Sequence, residues 1–160
     1  MSTTNGNVVI RIQVKPGQIT LPNNVNNGVQ LYSNTTRSII SAFGESHKNA
    51  VTEIVPGSTI TFYAVNYNRN NDQYKNYKVY MLGIERKEGA NDLVGLPARV
   101  DDSIQGDSPN YLVCDVLEDV GENPSDESYT ITIELKDGDN LIGVYDIDPK
   151  LRMRSRGGSS

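Results

Sequence analysis

Two side chains in this 160-residue sequence carry base or nucleophile chemistry beyond the common hydroxyls: a single histidine, His47, and a single cysteine, Cys114. His47 lies in Gly44-Glu45-Ser46-His47-Lys48-Asn49, a polar stretch that reads as a loop with the imidazole exposed. Ser46 beside it lacks the strand-to-helix elbow that presents a nucleophilic serine. Cys114 alternates with Leu112 and Val116, which predicts a buried structural thiol, because a reactive thiol needs an exposed electropositive setting. A hydrolase built on His47 with a serine or acidic partner is not expected, and no catalytic residue is assigned.

One His and one Cys cannot complete a closed zinc site, which needs about four such ligands. No cofactor is expected; calcium is the one ion that the oxygen-rich loops would suit, since hard cations take carboxylates and amide carbonyls. Asp101, Asp102 and Asp107 form the candidate metal set, without EF-hand spacing. Asp137 with Asp139 and Asn140 is read instead as turn chemistry.

The candidate ligand-binding stretch is Asn66 to Asn76, NYNRNNDQYKN, with the tyrosine that follows it. Asn66 and Asn71 offer a donor and an acceptor on a short stem, Asp72 accepts, and Arg69 donates a planar fork. Tyr67, Tyr74 and Tyr77 add apolar faces with hydroxyl tips. That combination suits sugar hydroxyls, although plain loops are built from the same residues. A glycan-binding lectin, calcium-assisted or not, is the alternative function that this stretch supports.

The elements that must position these groups are mostly strands. Val8, Ile10, Ile12 and Val14 alternate with polar or half-buried positions in a first strand ended by Lys15-Pro16-Gly17. Ile19 to Pro22 and Val29 to Tyr32 read as short edge strands in an Asn-rich loop, and Arg37 to Phe43 fits a strand or one helical turn equally. Val51 to Val55, the Pro56-Gly57 turn and Thr59 to Tyr67 read as strand, tight turn, strand. In Tyr77 to Arg86, Val79 and Met81 oppose Tyr80, Leu82 and Ile84, the pattern of a central strand covered on both faces. Tyr111 to Leu117 is a further strand. The most regular stretch is Ser128 to Met153: Tyr129, Ile131, Ile133 and Leu135 alternate with polar residues, Asp137-Gly138 supplies a turn, and Leu141 to Ile147 returns. An even loop there would bury Ile142 and Val144 beside Ile133; an odd one would bury Leu141, Tyr145 and Ile147. Even parity is the expectation.

About seven or eight strands with Gly, Pro and Asn punctuation predict an all-β, single-domain antiparallel β-sandwich over residues 1–153, of jelly-roll or immunoglobulin-like order. Residues 154–160 read as a flexible basic tail. A formal net charge of -5, with 22 % charged and 36 % hydrophobic residues, sets the chain apart from nucleic-acid binders and from anionic membranes. No secretory signal and no apolar run of about 18 residues is present, so a cytoplasmic site is expected, with release by a non-classical route left open.

Two blocks resemble a known family. One runs from Val55-Pro56-Gly57 through Thr59, Ile60 and Phe62 to Tyr77, Val79, Tyr80 and Met81; the other is Tyr129 through Asp137-Gly138, Gly143, Tyr145 and Asp148-Pro149. Together they are similar to the bacterial AidA/PixA inclusion-body proteins, over roughly half the chain. The resemblance implies a non-enzymatic β-protein that accumulates and self-associates in the bacterial cytoplasm, with itself as its principal partner. It supplies no catalytic residues.

Overall fold

The computed structural model describes residues 7–20, 25–87, 92–103, 108–117 and 126–153. Its strands are β1 (Val8–Val14), β2 (Val29–Ser33), β3 (Ser38–Ser41), β4 (Val51–Ile54), β5 (Thr59–Asn66), β6 (Tyr77–Arg86), β7 (Ala98–Val100), β8 (Tyr111–Asp115), β9 (Asp126–Asp137), β10 (Asn140–Ile147) and β11 (Lys150–Met153). Two single helical turns, Pro16–Ile19 and Val25–Gly28, link β1 to β2. No helix among the described residues is long and apolar enough to cross a membrane.

One sheet has the order β3-β2-β1-β5-β8-β7. The second is organised on β9, which pairs with β6 on one side and with β10 and then β11 on the other, while β4 pairs with β11. Their apolar faces meet in one core that includes Ile12, Phe62, Met81, Leu112, Ile131 and Ile133. An all-β architecture is as expected, but both sheets are mixed rather than purely antiparallel: β1 runs parallel to β5, and β11 parallel to β4. Period-two patterning selects which face of a strand is buried; it carries no information on the direction of the neighbour.

β1 follows its sequence pattern, burying Val8, Ile10, Ile12 and Val14. Val29–Ser33 is no edge strand: it lies between β1 and β3. Arg37 to Phe43 contains a strand, β3, at the sheet edge. The Pro56-Gly57 turn, closed by Ser58 N–H donating to Val55 C=O at 3.1 Å, carries the chain from one sheet to the other instead of making a hairpin. The strand covered on both faces is β5, where Phe62, Tyr63, Ala64, Val65 and Asn66 are all buried. The Tyr63 hydroxyl accepts a bond from Asn34 Nδ2 at 2.7 Å, which satisfies a phenol that burial would otherwise strand.

Two bulges overturn local parity. In β6 the register shifts between Met81 and Gly83, so Ile84 joins Val79 and Met81 on the buried face and Leu82 turns outward. β6 is thus a one-faced strand that pairs, among the described residues, with β9 alone, not a central one. In the terminal hairpin the loop is even, as expected, with Asp137 paired to Asn140 around Gly138-Asp139. Gly138 has φ of 60°, the left-handed value required at the first central position of a type II′ turn. A second bulge, between Leu141 and Gly143, then reverses the faces: Tyr145 sits opposite Ile133, and Ile147 opposite Ile131. Ile142 and Val144 are therefore exposed, not buried. Gly143 makes room for Tyr145, whose hydroxyl would lie 2.6 Å from a Cβ at that position.

Candidate functional site

The loop Asn66 to Asn76 is a run of tight turns whose polar groups bind their own backbone. Asn66 is buried; its Nδ2 donates to Tyr74 C=O at 2.7 Å and to Tyr77 C=O at 3.1 Å, and its Oδ1 accepts from Asn68 N–H at 2.8 Å. Asn71 Oδ1 accepts from Gln73 N–H at 2.9 Å, and Asp72 lies 3.9 Å from Lys75 Nζ at full exposure. Tyr74 and Tyr77 are half-buried and meet edge to face at 5.4 Å, with Tyr74 packed over Gly17. Tyr67 points away from them: it is exposed and meets Phe43 at 5.0 Å, beneath Lys15 Nζ. Arg69 is exposed at the loop tip. The residues chosen as a ligand set thus divide into a structural knot at Asn66, Tyr74 and Tyr77, and separate exposed groups at Tyr67, Arg69, Asn71 and Asp72.

Of the candidate metal ligands, Asp101 pairs with Arg99 Nε at 3.0 Å and Asp102 accepts from Ser103 N–H at 2.8 Å; Asp107 lies outside the described residues. Among the described residues no three carboxylate, imidazole or thiolate groups converge.

His47 is buried, not exposed, because the short 3₁₀ turn His47–Asn49 inserts it between the sheets, with Nε2 bonded to Val29 C=O at 3.1 Å. The polar neighbours that predicted a loop do face water; only the ring turns inward. Desolvation lowers its pKa below the ordinary 6.5, opposed by the Val29 bond and the Asp148 carboxylate. Because the folded state resists protonation, the unfolded chain binds more protons below the ordinary value. Stability is therefore fully present above about 6.5 and falls as pH drops through it toward the depressed folded value. Thermal melts from pH 8 to 5 should show this loss, and His47→Gln should flatten the profile; an unchanged slope in the variant would refute the assignment. Cys114 is also buried, and its thiol is pushed up to about 11 by burial and by the Asp115 charge, as an inert core thiol should be.

One apolar feature among the described residues is an edge strand. Among the described residues β10 pairs only with β9. It exposes Leu141 by 58 %, Ile142 by 39 % and Val144 by 51 %, with no charge between Leu141 and Tyr145. Other edges are shorter or closed. β3 and β4 have four residues and β7 three, with Arg99–Asp101 beside β7 and Glu53–Arg152 across β4. β6 is long, but the buried Asn110 side chain occupies its outer edge: Oδ1 accepts from Met81 N–H at 2.8 Å and Nδ2 donates to Met81 C=O at 2.9 Å. An amide placed this way stands in for a neighbouring strand. The signal for β10 was present in the sequence as the apolar run Leu141 to Val144, but the bulge that turns it outward was not.

No protein-family model and no curated protein sequence matches the chain. Its structure aligns with the crystal structure of the inclusion body protein PixA from Burkholderia cenocepacia J2315, at a TM-score of 0.65 and 6 % identity, covering 96 % of this chain and 99 % of that one. The chain has the PixA fold. The resemblance carried by the Val55-Pro56-Gly57 block and the terminal hairpin is thereby borne out in three dimensions, over nearly the whole length of both chains. A cysteine protease inhibitor from Entamoeba histolytica aligns over 68 % of this chain and 88 % of its own at a TM-score of 0.31 and 14 % identity. At 6 % identity the PixA likeness rests on the shared arrangement of strands rather than on shared side chains.

Proposed function

We propose that this chain is a non-enzymatic protein of the PixA type that accumulates in the bacterial cytoplasm and self-associates. The observation that carries the reading is the apolar edge of β10, eight residues long, uncharged through its centre and paired among the described strands with β9 alone. Such an edge offers unpaired backbone groups and apolar side chains together, the combination that favours pairing with another chain. The fold shared with an inclusion body protein supports the same reading. So does the burial of His47 and Cys114, which keeps both of the chain's distinctive reactive side chains from solvent.

Sedimentation velocity of the purified full chain over a hundredfold range of concentration tests this. The sedimentation coefficient should rise with concentration, and overexpressing cells should hold the protein in particles. A monomer across the whole range, with the cellular protein entirely dispersed, would overturn the reading.

A further inference from the structure

Along β1, Ile10, Ile12 and Val14 point into the core, so Arg11 and Gln13 stand on the outer face of the first sheet. Lys15 continues the strand with extended backbone and shares that face. The Arg11 guanidinium lies over Tyr32, its register partner on β2, with Cζ 4.6 Å from the ring centroid. Lys15 Nζ sits 4.1 Å from the centroid of Phe43 and 5.4 Å from that of Tyr67. Rings hold both cations where acids would be usual. Arg86, Arg99 and Arg152 each meet a carboxylate, whereas among the described residues Arg11 and Lys15 meet none. Glu45, two residues past Phe43, has a carboxylate oxygen on Ala42 N–H at 2.8 Å. In a chain of net charge -5, β1 thus carries two unmatched positive charges on one face.

We propose that this stripe binds an acidic sugar chain, with a carboxylate at Arg11 and another at Lys15. Four residues of strand set their Cα atoms about 13 Å apart, a span that calls for an extended ligand rather than one small anion. Arg11 Nε is buried against its surroundings without a hydrogen-bond partner, while the two terminal nitrogens stay open to water as a fork for a carboxylate. Between the cations Gln30 Nε2 donates to Gln13 Oε1 at 2.6 Å, which leaves a donor on Gln13 and an acceptor on Gln30 for hydroxyls. Tyr67, 49 % exposed, offers a ring for a sugar face. An acidic peptide fits less well. β1 is an interior strand between β2 and β5, so its backbone is already paired and offers a peptide's amides nothing. Carboxylates, hydroxyls and apolar ring faces are what the side chains themselves would recognise. Only Tyr67 is shared with the Asn66 to Asn76 loop, and none of the stripe with β10.

The test titrates the full chain with a galacturonate hexamer at low salt, read by amide shifts in NMR. Saturable shifts should gather at Arg11, Gln13, Lys15 and Gln30. Arg11→Gln and Lys15→Gln should each weaken binding about tenfold, with thermal melts confirming that the variants fold. Arg11→Lys should recover only part of the loss, because an ammonium keeps the charge without the fork. Tyr67→Ala, at an exposed ring, should weaken binding without touching either charge. On the unmodified chain a neutral galactose hexamer should bind about tenfold more weakly than the acidic one. No saturable shift, shifts gathered elsewhere, undiminished binding in the Arg11 and Lys15 variants, or a glutamate hexapeptide bound as tightly would overturn the site. Self-association through β10 is read separately by sedimentation and stands or falls without it.

Discussion

Asn110→Ala is expected to destabilise the protein by about 3 kcal/mol in urea denaturation, with the slope against denaturant unchanged. Asn110 is almost wholly buried and spends its amide on both backbone groups of Met81. Truncation leaves a buried N–H and a buried C=O without partners, and the loss is the desolvation of both rather than the modest net value of two exchanged bonds. Asn110→Asp separates the two contributions. A carboxylate still accepts from Met81 N–H, but it faces Met81 C=O with no donor, so it should recover little or nothing. The same change opens the outer edge of β6. Asn110→Ala should therefore associate more strongly than the unmodified chain, and a variant that is less stable but no more prone to assemble would show that the amide does not guard the edge. A loss below about 1 kcal/mol would contradict the structural role itself.

Asn66→Ala is expected to cost about 2–3 kcal/mol and to loosen the whole loop that follows β5. Three hydrogen bonds from one buried side chain hold Tyr74, Tyr77 and Asn68 together, and Asn76 C=O in turn accepts from Gly138 N–H at 3.1 Å. Hydrogen exchange should therefore accelerate at Asn68 and also at Gly138 across the gap. Asn66→Asp keeps the acceptor for Asn68 N–H while losing both donors, and should fall at least as far. Asn71→Ala, which removes only an exposed side-chain bond to Gln73, should stay within about 0.5 kcal/mol. Equal losses at Asn66 and Asn71 would refute the distinction between knot and surface.

These two asparagines show how far residue type could be read. Asn66 and Asn71 are alike in the sequence, both in an Asn-rich polar stretch with tyrosines nearby, and both were natural choices for a ligand. Only the partners of Asn66, supplied by residues eight and eleven positions on, make it structural. His47 shows the same thing: five polar or small neighbours predict exposure, yet one turn inward places the ring between the sheets. Asn110 carries no local signal, because a lone Asn at the end of a polar connector gives no sign that it will meet the backbone of a strand far earlier in the chain.

What the sequence determined by itself is local. The alternation in β1 and β9, the Asp-Gly turn and the burial of Cys114 all follow from residues within a few positions of one another. What tertiary structure decided depends on partners. β1 and β5 run parallel because of where each enters its sheet, and nothing in either strand encodes the direction of its neighbour. The bulges at Leu82 and Ile142 each insert one residue opposite β9. A shift of one residue exchanges the two faces of a strand, so a single bulge turned Ile142 and Val144 from expected core to the exposed side of the strand on which the proposed function rests.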